Sequence, residues 1–142
     1  MKPPKMVILH CSDTPDYPET DVRFDRFGAD DINLWHIERG WDKIGYHFIV
    51  RRTGVLETGR LCSAPHAFEV GAHCSGHNLE SIGVCYIGRE SPTKNQIEKL
   101  KSLYLMIKKV FGIDKTQWFA HHHFNSAKTC PGFPIENFTN LL

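Results

Sequence analysis

Ser81-Ile82-Gly83-Val84-Cys85-Tyr86-Ile87-Gly88 is a nearly unbroken apolar run. A stretch this short, rich in β-branched and aromatic residues, suits a strand, and its lack of alternation implies burial on both faces. A strand buried on both faces needs a layer above and a layer below, so the expected architecture is a sheet flanked by helices.

The neighbouring segments fit that frame. Thr93 to Val110 is the clearest helix, because Ile97, Leu100, Leu103, Tyr104, Ile107 and Val110 recur at helical spacing and Thr93 with Gln96 forms a capping box. Tyr46 to Arg51 reads as a strand, followed by a turn at Thr53-Gly54 and a second strand at Val55-Leu56-Glu57. Val7-Ile8-Leu9 is a short buried strand ending at His10-Cys11-Ser12, and Trp118-Phe119-Ala120 leads a last strand into His121-His122-His123. Between them, Asp13 to Gly28 carries prolines and acidic residues and reads as a loop. Asp30 or Asp31 is expected to cap a helix through Glu38, with Ile32, Trp35 and Ile37 as its apolar positions and Gly40 as its stop. Ile135 to Leu142 is a further helix candidate. Hairpins and longer crossovers together predict one α/β domain over residues 1–142, a central mixed β-sheet flanked by helices.

Bulk properties narrow the function classes. A chain of 142 residues suits one core, and 41% hydrophobic with 23% charged residues is ordinary for a soluble domain. A net charge of +1 argues against a nucleic-acid surface. The apolar stretches are too short to span a bilayer, and the four apolar residues from Met6 to Leu9 are too few for a signal peptide, so synthesis in the cytoplasm is expected. Five cysteines without a CxxC pair point to free thiols or a metal-ligating Cys rather than a disulfide framework.

Three features could carry chemistry: His10 at one strand end, the histidine cluster at another, and Cys130 in a loop that can fold back. Imidazole nitrogens with one thiolate suit zinc, and three protein ligands would leave the fourth position for water or substrate. Taken singly, each residue has a plainer reading as a hydrogen-bonded core His or a surface triplet. Spacing alone leaves both readings open.

The segments Ile8-Leu9-His10-Cys11-Ser12, Trp41-Asp42-Lys43-Ile44-Gly45-Tyr46-His47-Phe48, Val70-Gly71-Ala72-His73, Ser81-Ile82-Gly83-Val84-Cys85, and Ala120-His121-His122 with Lys128-Thr129-Cys130-Pro131-Gly132 occur in that order. Together they resemble the phage-lysozyme type of N-acetylmuramoyl-L-alanine amidase, which shares its fold with the peptidoglycan recognition proteins. The resemblance runs from about residue 6 to 138. It implies Zn2+ as cofactor and hydrolysis of the amide between the lactyl group of N-acetylmuramic acid and L-alanine in peptidoglycan. His10 and Cys130 match the first and third metal ligands. The second is His121, which follows the small residue Ala120, or His122, whose spacing to Cys130 is the commoner one; His121 is favoured. Tyr46 and Lys128 match the two catalytic positions that do not bind metal.

The resemblance further implies a peptidoglycan or muropeptide partner; charge and hydropathy lead to no nucleic-acid or membrane partner being expected, and a monomer is expected. A chain of this kind would be made in the cytoplasm and act on the wall after release or export. His73 reads either as a lining residue of the substrate groove or as a loop His of no special role, and Gly71 and Gly76 as points of close backbone approach. His47, alternating with Tyr46, is expected in the core or behind the metal site; Trp35 and Trp41 are expected in the core, and Cys11 and Cys85 as small buried hydrophobes. His123 stands where the family often has an acidic or amide residue, and the acidic stretch from Asp13 to Asp31 is longer than in compact phage enzymes. The rival readings are a peptidoglycan-binding module that does not cut, and a structural zinc domain with a fourth ligand.

Overall fold

In the computed structural model, which describes residues 2–142, the apolar runs form the middle of a five-stranded sheet. The strands are β1 (Met6–Cys11), β2 (Phe48–Val50), β3 (Leu56–Thr58), β6 (Ser81–Tyr86) and β7 (Trp118–Ala120), in the order β3-β2-β6-β1-β7. Only β2 and β3 run antiparallel; the other pairs are parallel. A separate hairpin pairs β4 (Cys62–Ala64) with β5 (Ala67–Phe68). The helices are α1 (Ala29–Glu38), α2 (Lys94–Phe111) and two short turns, α3 (His121–Phe124) and α4 (Glu136–Thr139). The expected mixed sheet with helical cover is what forms.

Strand alternation divides the core. Val7, Leu9, Val84, Tyr86 and Val50 pack with Leu100, Leu103 and Ile107 of α2 on one face. Ile49, Cys85 and Ile87 pack with Ile32 of α1 on the other. His10 lies in β1 between Leu9 and Cys11, so it points to the α1 face. Burial of the Leu100, Leu103 and Ile107 side chains contributes about 1.5–3 kcal/mol each, which makes α2 the main buttress of the sheet. Thr93 and Gln96 close the expected capping box, and Gly112 ends the helix in the left-handed region at φ 72°.

Several expectations are corrected at element ends. The N-cap of α1 is Gly28, not Asp30 or Asp31; the Asp31 carboxylate accepts from the Gly28 N–H at 2.9 Å. A side chain at Gly28 would collide with the Arg51 guanidinium and Glu57, so crowding from the sheet decides the cap. Ile37 is exposed and His36 takes the buried position of α1. The strand read from Tyr46 to Arg51 shortens to Phe48–Val50, and the terminal helix to Glu136–Thr139. Trp41 is a rim residue, 36% exposed, its ring tilted against that of His36 at 4.3 Å just past the end of α1. The acidic loop is strapped to the sheet: Arg51 binds Asp25, Arg52 binds the Tyr17 carbonyl, and Arg89 binds Asp13. Among the described residues, no helix is long and apolar enough to cross a membrane.

Candidate metal centre

Two parallel strands deliver the site. β1 ends at Cys11, just past His10, and β7 ends at Ala120, just before His121. The two are adjacent in the sheet, with Leu9 opposite Ala120, so both histidines emerge at the carboxyl edge where open α/β sheets bind ligands. The loop after α3 then folds back and adds Cys130. Among the bonds that hold that loop, Tyr86 Oη donates to the Pro131 carbonyl at 2.6 Å, His122 N–H donates to the Cys130 carbonyl at 3.0 Å, and Cys11 N–H donates to Cys130 Sγ at 2.7 Å.

His10, His121 and Cys130 each offer a donor atom, and these atoms lie within 4.8 Å of one another. Zinc held at bonds of about 2.0–2.3 Å would need the three donors to draw somewhat closer together than this upper limit. Of the two histidines left open by the sequence, His121 is the one brought to His10, at 4.4 Å between ring centroids. His122 turns away, its Nε2 3.3 Å from the Phe133 carbonyl. His123 is exposed and stacks on Phe119. The triplet thus occupies a helical turn rather than a continued strand, which separates its three rings in direction.

The electrostatics suit cation binding. Burial, then the neighbouring His73 and His121, hold the His10 imidazole well below its ordinary pKa, and burial lowers His121 as well, with Lys128 adding to it. Both rings are therefore neutral at pH 7 with a lone pair available. The adjoining Cys11 and burial push the Cys130 thiol up. A metal ion reverses that balance, since a coordinating thiol ionises and the Cys11 N–H already points at the sulfur.

Tyr46 flanks the centre, its ring 5.0 Å from His10 and 5.5 Å from His36. Burial raises its pKa well above the ordinary value, so its hydroxyl stays protonated and available to donate. Lys128 is exposed on the Cys130 loop, close enough for its charge to bear on His121.

His73, one candidate for the groove wall, sits behind the centre: it is 7% exposed and its Nδ1 lies 2.8 Å from His10 Nε2. Of the two glycines expected at close approaches, Gly71 is one, with a Cβ there 2.8 Å from the His73 ring. Gly76 instead sits in a turn at φ +86° with open space around it. His47 is buried against Phe68, accepting from Gly83 N–H and donating to the Glu69 carbonyl. Ser81 and Asn78, which sequence reasoning passed over, hold His73 from behind. Their polarity within an otherwise apolar run and a glycine-rich loop was the available signal.

Fold and site together define a class: an α/β domain with a mixed His–His–Cys centre open at the carboxyl edge of its parallel strands. The chain belongs to the N-acetylmuramoyl-L-alanine amidase family, whose model matches residues 1–133. An endolysin of Klebsiella phage KP32 is 34% identical over 140 residues, covering 93% of this chain and 83% of the relative. The amidase LysC from Clostridium intestinale URNW superposes with a TM-score of 0.79 at 26% identity, covering 99% of this chain and 85% of that one. Peptidoglycan recognition protein LE, solved with tracheal cytotoxin, a monomeric diaminopimelic acid-type peptidoglycan, superposes at 0.71 with 25% identity, covering 99% and 80%.

Proposed function

We propose that this chain is a zinc-dependent amidase that hydrolyses the bond between the lactyl group of N-acetylmuramic acid and L-alanine in bacterial peptidoglycan. The observation that carries the zinc reading is the convergence of His10, His121 and Cys130 within 4.8 Å. The family and its endolysin relatives support the amidase activity and the peptidoglycan substrate. The donor set fits the ion: neutral imidazoles and one thiol are a zinc combination, and three donors rather than four suit a catalytic centre.

His10, His121 and Cys130 are the proposed ligands. Zinc, when bound, lowers the pKa of its water to about 7 and polarises the scissile carbonyl. Tyr46, protonated at neutral pH, donates a hydrogen bond to the attacked carbonyl or orients the water. Lys128 brings positive charge toward the developing oxyanion from the open side. Either group can pass a proton to the leaving amine through water. Residues 1–142 act as one zinc amidase domain, as a monomer, on wall material reached after release or export.

The test uses purified protein on intact sacculi and on soluble muropeptides, with products read by mass spectrometry. New free L-alanine amino termini on unbroken glycan strands are the expected result, lost with a chelator and restored by zinc. Cleavage within stem peptides, or tight binding without release of amino termini, would overturn it.

A further inference from the structure

Behind the metal centre a chain of hydrogen bonds runs from His10 into the core, and its directions can be read from its far end. The His77 carbonyl can only accept, and Ser81 Oγ lies 2.6 Å from it. The single Ser81 hydroxyl hydrogen is therefore spent there, which leaves Oγ as an acceptor toward His73 Nε2 at 3.2 Å. His73 must carry its hydrogen on Nε2. No carboxylate is among its hydrogen-bond partners within the described residues, so the buried ring is neutral and Nδ1 is a bare acceptor. His10 Nε2, 2.8 Å from that Nδ1, must then donate. Its other nitrogen, Nδ1, keeps its lone pair.

We propose that His73 is a positioning residue that locks His10 in the tautomer whose bare Nδ1 faces the metal, with Ser81 and the His77 carbonyl as the anchor. The pocket is built around that ring. A Cβ at Gly83 would lie 2.6 Å from His73 Cδ2, and one at Gly71 would lie 2.8 Å from the same atom. A side chain at either glycine would collide with the ring, so both positions keep room for it. Asn78 Oδ1 accepts from both the His73 and Cys74 N–H groups at 2.9 Å, which fixes the backbone that presents the ring. Outer partners of ligating histidines set the tautomer and the ring direction in metal sites generally.

This role rests on the reading of His10 as a ligand, so the experiment separates the two. Long-range proton–nitrogen NMR of the metal-free protein reports the His10 tautomer without any metal. The Nε2–H form is expected in the wild type, and a mixed population in Ser81→Ala. A wild-type His10 protonated on Nδ1 would overturn the proposal even if the protein binds zinc. Zinc affinity by chelator competition is the second readout. His73→Leu should weaken it about 10–100-fold, whereas His73→Asn, which keeps an acceptor near the Nδ1 position, should stay within about threefold of wild type. Equal affinities for His73→Leu and wild type would refute the positioning role. A wild type that binds no zinc would refute the ligand reading and leave the tautomer measurement to decide on His73.

Discussion

The backbone N–H of Cys11 donates to the sulfur of Cys130 at 2.7 Å, joining positions 119 residues apart in the chain. The donor belongs to the peptide and not to the Cys11 side chain. Cys11→Ala should therefore keep zinc affinity near the wild-type level and cost about 1 kcal/mol of stability through the lost sulfur. Cys130→Ala removes the acceptor and the ligand together, and should lower zinc affinity by at least about 100-fold. Metal content by mass spectrometry after dialysis decides between the two; equal zinc in both variants contradicts the assignment of Cys130.

The adjacent histidines should behave oppositely. His121→Ala is expected to lose zinc and all hydrolysis, because its ring is the one brought to His10. His122→Ala loses only a long bond to the Phe133 carbonyl, keeps its backbone tie to Cys130, and should retain activity at a stability cost of about 1 kcal/mol. Zinc stoichiometry and turnover of both variants are the check, and the reverse pattern would move the second ligand to His122.

Tyr46→Phe and Lys128→Ala should both keep zinc while kcat/KM falls about 100- to 1,000-fold. Because the Tyr46 hydroxyl is protonated well beyond neutral pH, its removal should not shift the acid limb of the pH–rate profile. Full hydrolysis by either zinc-loaded variant removes that residue from the mechanism.

Acid should unfold the protein through its buried histidines. Burial lowers His47 and His36 from 6.5 to about 4 in the fold. Protonation then favours the unfolded chain, so their contribution is complete above about pH 6.5 and is lost progressively as pH falls toward about 4. At about 1.4 kcal/mol per pKa unit, the loss from His47 alone approaches 3 kcal/mol. Thermal melts of the metal-free protein across that window should show a falling midpoint; a flat midpoint contradicts it.

The sequence carried the parts of this fold that follow from periodicity. The helix read from Thr93 to Val110 forms where spacing places it, and the doubly buried strand read from Ser81 to Gly88 forms over Ser81–Tyr86, because one face or both faces must leave water. His10 and Cys130 stood out by residue type at segment ends. What local pattern could not carry was contact between distant segments. Gly28 caps α1 because Arg51 crowds it from the sheet, and His36 displaces Ile37 from the core because its Nδ1 accepts the Gly45 N–H. The choice between His121 and His122 depends on a helical turn starting one residue after β7. His73, held by Ser81, meets His10 only after β6 pairs with β1, a partnership no short window contains.

The first donor of the centre comes at residue 10 and the last at residue 130, carried by neighbouring strands and a returning loop. A growing polypeptide can therefore lay down β1, β6 and α2 long before it owns a complete centre. On the proposed ligand set, a nascent chain holds the scaffold and no complete centre until Cys130 has left the ribosome and its loop has closed on Cys11.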